Sequence, residues 1–277
     1  MDYYSIVAGL PDIEIEDKKL AFSLVDFREE VYPQLSFNDA RLINLFYMKF
    51  DNQNLLNYLR KKDVQFDVRG NLTKEDMEEG FDIIFEHADP TTMRIPPYFN
   101  DFVEEYKGAQ WHDDENEEAN WENRLTELYY QWAMKCGNKL IASWFEYNLN
   151  LNNILSAYAY RKYQMDLEVV GGNEEAETIK TSGQRDFGLA GSIDELNVFL
   201  NIADEPELFE REMKIDLMRW QWLEEQTFFH YFSIEKIFAY LVKLEIIERW
   251  MNFNHEQGEK IFRKLIDGLK ESVVNKK

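Results

Sequence analysis

Twelve side chains constrain this fold most: Leu125, Leu128, Tyr129, Trp132, Cys136, Leu140, Trp144, Tyr147, Leu151, Ile154, Leu155 and Tyr158 recur at three- and four-residue intervals. That spacing gathers them on one face of an α-helix. It predicts one long helix, or two nearly collinear ones with a break near Gly137 or Asn148. The rest of the chain agrees with a helical class. Only 12 Gly and 6 Pro punctuate 277 residues, too few for a sandwich with a turn every ten residues. With 45% hydrophobic and 15% aromatic residues there is ample material for a packed core.

Helix starts are marked by Ser36-Phe37-Asn38-Asp39, Thr73-Lys74-Glu75-Asp76 and Ser192-Ile193-Asp194-Glu195, each a capping-box pattern that satisfies free amide donors. Tyr3 to Ile15 reads as extended, and Asp17 to Tyr32 as a first helix with Leu20, Leu24, Phe27 and Val31 on one face. The Ser36 helix carries Leu42, Leu45, Phe46 and Phe50, and the Thr73 helix ends near His87. Residues 90–118 read as irregular and acidic, and residues 165–191 as a linker. A Trp-rich helical stretch follows Ser192. Ser233 caps a helix bearing Ile237, Tyr240, Leu241, Leu244, Ile247 and Met251, and a closing helix is expected from about His255 to Val274.

Acids outnumber bases 53 to 31, a formal net charge of −22. Nucleic acid is excluded as a partner, because phosphate binding is driven by cations that release counterions. Direct lipid binding is also disfavoured: at a leaflet potential of roughly −30 mV each surface acid costs about 0.7 kcal/mol. Any membrane attachment is therefore expected through another protein. The single cysteine, Cys136, rules out a disulfide framework and a multi-cysteine zinc site. The start, Met1-Asp2-Tyr3-Tyr4, lacks a basic region followed by an apolar one, and no run reaches the 18 or so apolar residues of a spanning helix. A cytoplasmic protein is expected.

The residues offer no recognisable catalytic, cofactor or metal site. The positions three before His87, His112, His230 and His255 are Ile84, Ala109, Thr227 and Asn252, so the Glu-x-x-His ligand pair of a di-iron bundle is missing at each. No two histidines stand four apart, as a helical zinc site needs. Cys136 lies on the apolar stripe and reads as a structural thiol. Asp186-Phe187-Gly188 matches the kinase magnesium triplet without the other kinase motifs. Pairs such as Glu224-Glu225 follow from composition. A non-enzyme is expected.

Two segments resemble one another: Phe50-Asp51-Asn52-Gln53-Asn54-Leu55-Leu56-Asn57 and Leu149-Asn150-Leu151-Asn152-Asn153-Ile154-Leu155-Ser156, 99 positions apart. Basic residues follow each, at Arg60-Lys61-Lys62 and Arg161-Lys162. A looser third copy is Lys243-Leu244-Glu245-Ile246-Ile247-Glu248-Arg249. Such a helix, recurring three times, resembles the family of C-type subunits in archaeal and bacterial A/V-type ATPases, whose eukaryotic counterpart is the d-type V-ATPase subunit. Ser233-Ile234-Glu235-Lys236-Ile237-Phe238-Ala239-Tyr240-Leu241, with Lys243, Glu245 and Arg249, resembles that family's final-lobe signature. Glu259 to Ile266 is similar to its closing helix. The opening Tyr3 to Asp12 resembles a bacterial family of undefined function found among V-type ATPase genes. The resemblance covers about half of the chain, mainly residues 40–62, 140–165 and 233–267.

The resemblance implies an all-α, three-lobed pseudo-repeat, a helical funnel with lobes near 1–95, 96–185 and 186–277. It implies a non-catalytic coupling subunit that links the membrane rotor ring to the central shaft of a bacterial V-type ATPase and transmits torque during proton or sodium transport. Its partners would be the ring and shaft subunits, and its place cytoplasmic and peripheral to the inner membrane through protein contacts. The alternative is a free-standing helical adaptor that binds a protein through the acidic middle segment; an enzyme assembled from scattered acids and aromatics comes last.

Overall fold

The computed structural model describes residues 2–17, 19–85, 95–111, 120–165 and 167–252. Among these the protein is all-α: eleven α-helices and no strand. The expected closing helix at 255–274 lies outside the described residues, as do His87, His112 and His255.

Two compact units account for the packing. One is Arg41–Leu196, and the other combines Met1–Ala40 with Asn197–Lys277. The lobe boundaries at 95 and 185 stand as an implication of the resemblance.

The continuous unit begins within α3 (Phe37–Leu59) and holds α4 (Lys74–Phe85), α5 (Pro97–Trp111), α6 (Trp121–Met134), α7 (Lys139–Tyr163) and α8 (Glu174–Thr181). The long stripe proves to be an α6–α7 hairpin, neither one helix nor a collinear pair. Tyr129 on α6 meets Phe145 on α7 at 5.6 Å between ring centroids, and Asn152 on α7 donates to the Tyr130 hydroxyl at 3.4 Å. Gly137, at φ +84, turns the chain in a left-handed conformation that favours glycine. Asn138 then caps α7 by accepting the Ile141 amide at 3.1 Å. The intervening residues 135–138 amount to about one helical turn, so the periodicity runs through the reversal in phase. Leu125, Leu128, Tyr129, Ile141, Trp144, Tyr147, Leu151 and Ile154 are buried, whereas Trp132, Cys136 and Leu140 near the turn are half-buried.

Residues 97–111 are helical, against the irregular segment expected there. Pro97 takes the first helical position, where its missing N–H is harmless. Phe99, Phe102 and Val103 supply the buried face, at a three- and four-residue spacing that the surrounding acids obscured. The supposed linker 165–191 likewise contains α8, capped by Asn173, whose side chain accepts the Ala176 amide at 3.0 Å.

The discontinuous unit contains α1 (Tyr4–Gly9), α2 (Leu24–Asp26), most of α9 (Leu196–Ala203), α10 (Leu208–Gln226) and α11 (Ile234–Asn252). Tyr4–Gly9 is helical, not extended. The first amphipathic helix starts at Leu24, not Asp17, because Ser23 and Asp26 close a reciprocal capping box. α2 runs into a π-turn at Phe27–Val31 and a 3-10 turn at Tyr32–Gln34, with Phe27 and Val31 buried. The N-terminal segment packs on α11: the Tyr240 hydroxyl donates to the Pro11 carbonyl at 3.0 Å, and Glu248 accepts the Leu24 amide at 2.7 Å. Burial pushes the Tyr240 hydroxyl up to about 12, with Asp12 and Asp17 adding to the shift.

The Thr73–Asp76 box forms with both bonds at 3.0 Å. At Ser36 the hydroxyl accepts the Asp39 amide at 3.2 Å, but the Ser36 amide donates to the Tyr3 hydroxyl, which itself donates to Asp39. Ser192 caps no helix. Its amide and that of Ile193 bond the Leu189 carbonyl in a turn, and α9 begins at Leu196.

Candidate functional site

The two repeat segments occupy matching environments in the continuous unit. On α3, the buried Asn54 side chain accepts the Asp67 amide at 2.8 Å and donates to the Asp67 carbonyl at 2.9 Å. On α7, the buried Asn153 accepts the Val170 amide at 3.0 Å and donates to the Val170 carbonyl at 2.8 Å. Each carboxamide thus clamps the backbone of the loop that follows its own helix. One turn earlier the pattern repeats: Asp51 accepts from the Asn71 side chain at 2.8 Å, and Asn150 from the Asn173 side chain at 2.7 Å. Asp51, fully buried, also takes the amides of Asn71 and Leu72 at 3.0 Å. Gly70 permits this approach, since a β-carbon there would stand 2.2 Å from the Asp51 carboxylate. The repeat therefore has a second half, Gly70-Asn71 against Gly172-Asn173, that is visible once the loops are seen folded back.

The chain after α11 lies outside the described residues, and among the described ones the expected third copy makes no such clamp. Lys243 reaches α10, bonding Glu224 at 3.1 Å and lying 4.4 Å over the Trp220 ring. Burial lowers its pKa, partly offset by Glu224. Arg249 bonds Asp216, which is 2% exposed and also takes the Trp250 indole N–H at 2.8 Å and Arg219 at 3.2 Å. A short likeness to α3 also lies on α10, where Met213-Lys214-Ile215-Asp216 parallels Met48-Lys49-Phe50-Asp51. Lys243, Arg249 and Asp216 thus join α10 to α11.

Cys136 and the Asp186-Phe187-Gly188 triplet take part in local packing and turns. Cys136 donates to the Asn138 carbonyl, and burial pushes its thiol upward, against thiolate formation. Asp186-Phe187-Gly188 is a tight turn: Asp186 accepts the Gly188 amide at 3.1 Å, and buried Phe187 lies 3.9 Å beneath the Arg161 guanidinium. Among the described residues no group of three His, Cys, Asp or Glu could hold a metal ion, and no helix is long and apolar enough to cross a membrane.

The most conspicuous surface feature was missed in sequence. Between α10 and α11, Phe228, Phe229 and Tyr231 are 64%, 80% and 61% exposed. The turn that carries them is held at both ends. Buried Thr227 donates its hydroxyl to the Leu223 carbonyl at 2.6 Å and accepts the His230 amide on its own carbonyl at 2.9 Å. The Phe232 carbonyl takes the Tyr3 amide at 2.6 Å, and the Phe232 ring packs on Tyr4 at 4.2 Å. Phe228 and Phe229 meet edge to face at 4.9 Å. Such rings gain about 1.5–3 kcal/mol each on full burial, and a pre-organised turn spares the entropy of ordering them on contact. Arranged this way, the turn can dock an apolar surface.

Comparison with known proteins finds no curated protein and no solved structure that matches. It does find a family that spans residues 1–273, described as "Protein of unknown function (DUF2764)". With nearly the whole length matched, the chain belongs to the DUF2764 family.

Proposed function

We propose that this protein is a non-catalytic coupling subunit of a bacterial V-type ATPase that links the rotor ring to the central shaft. The observation that carries the reading is the duplicated carboxamide clamp on α3 and α7. It gives physical content to the recurring helix by which the chain resembles the C-type coupling subunits of A/V-type ATPases. Clamps that tie each loop to its own helix suit a part that must carry load without yielding. The aromatic turn at Phe228, Phe229 and Tyr231 supplies a surface for docking a protein. A net charge of −22 turns the chain away from lipid and toward protein contacts for its place at the membrane.

The test is affinity capture of the tagged full-length chain from native membranes in mild detergent, read by mass spectrometry. Ring and shaft subunits are expected in the eluate at near-stoichiometric yield. Their consistent absence, with the motor otherwise intact, would favour the free-standing adaptor, a reading that the same aromatic turn would serve.

A further inference from the structure

The loop leaving α3 opens on a cavity of about 740 Å³ inside the continuous unit, with Asn57, Tyr58, Lys61, Lys62, Lys74 and Lys107 in its wall. Two acids share the lining, Asp63 and Glu78, so the wall carries a surplus of cations in a chain of net charge −22. Among the described residues Lys74 has only a long contact with Glu78, at 3.7 Å. Among the described residues neither Lys61 nor Lys62 has a carboxylate partner. Burial draws the Lys107 amine below the ordinary lysine value, with Glu104 pulling the other way.

The second copy of the repeat shows what normally becomes of such a cation. Arg161 stands eight residues after Asn153, as Lys62 stands eight after Asn54. Arg161 is taken up by the chain itself: it donates to the carbonyls of Ser182, at 2.6 Å, and Gln184, and it stacks on Phe187. After α3 no segment plays that part among the described residues, and the cavity stands open.

We propose that this cavity binds a small soluble anion of nucleotide size that carries two or more phosphates. Its volume lies in the range of small-molecule sites, roughly 300–1,000 Å³. Ammonium groups that line one cavity repel one another, and a polyphosphate relieves that repulsion with charge-assisted hydrogen bonds. The Tyr58 and Tyr106 rings offer apolar walls for a base or sugar.

The experiment is isothermal titration of the full chain at low salt with inorganic triphosphate and with ATP, beside flotation with phosphoinositide vesicles. Saturable uptake of a soluble probe at one site per chain is expected. The Lys61→Ala/Lys62→Ala pair should weaken it about tenfold or more, while Lys61→Arg/Lys62→Arg holds it within about threefold. Lys19→Ala/Lys236→Ala, in the other unit, should change nothing, and circular dichroism should report equal helix content throughout. The proposal is overturned if neither soluble probe saturates, if only vesicles bind, or if the Lys19/Lys236 pair loses as much as the cavity pair.

Discussion

Replacing Asn153 by Ala isolates one carboxamide clamp. The side chain makes two bonds to Val170, at 2.8 and 3.0 Å, and is 2% exposed. Each bond contributes about 0.5–1.5 kcal/mol net, and an orphaned buried partner costs about 1–3 kcal/mol. Val170 is half-buried, so water reaches part of its freed backbone and the lower end applies, about 2 kcal/mol in total. Since about 1.4 kcal/mol is tenfold, the Val170 amide should exchange with solvent roughly 30-fold faster, measured by native-state hydrogen exchange. Asn153→Asp keeps an acceptor for the Val170 amide but sets a carboxylate against its carbonyl, and should be no better than Ala. Asn54→Ala should have the same effect on the Asp67 amide. A change below about threefold at Val170, or equal acceleration across α10 and α11, would refute a local clamp.

Gly70→Ala should lower stability by about 2 kcal/mol or more in urea denaturation, because the new methyl collides with the buried Asp51 carboxylate. Trp144→Ala, which empties a buried site on α7, should cost about 3–5 kcal/mol by the same assay. Phe229→Ala should leave unfolding within about 0.5 kcal/mol, yet reduce recovery of ring or shaft partners in affinity capture. Arg124 donates to Glu105 at 2.7 Å from Nε and from Nη2 and holds that carboxyl below its ordinary 4.5. The pair's stabilisation is thus present above pH 4.5 and lost as pH falls through the lowered value. Arg124→Met should return the Glu105 titration, followed by NMR, toward 4.5.

Helix class was legible because periodicity is a local property. The cap at Thr73 and the face of α11 needed nothing distant. What escaped depends on partners far along the chain. The α6–α7 stripe hid a reversal because a loop of one helical turn preserves phase. The Ser192 pattern failed as a cap because the Leu189 carbonyl captured its amide. The eight-residue repeat was visible, yet its second half, Gly-Asn in loops of different length, became recognisable only with the Asn54 and Asn153 bonds. The aromatic turn was absorbed into the Trp-rich helical stretch, since exposure cannot be read from residue type when α10 ends at Gln226.

The discontinuous unit has a consequence for how the chain is made. Synthesis runs from the N-terminus, and domains tend to fold as they emerge. The continuous unit, Arg41–Leu196, has its own core and can close while later residues are still being added. The first forty residues cannot: Tyr3 awaits Phe232, Pro11 awaits Tyr240, and Leu24 awaits Glu248. Throughout that interval Phe27 and Val31, destined for burial, have no core to enter. The nascent chain thus carries an unshielded apolar N-terminal segment until α11 appears. Such a segment is a natural client for a chaperone, and a truncation ahead of Ile234 should leave it exposed and prone to aggregate while the continuous unit stays folded.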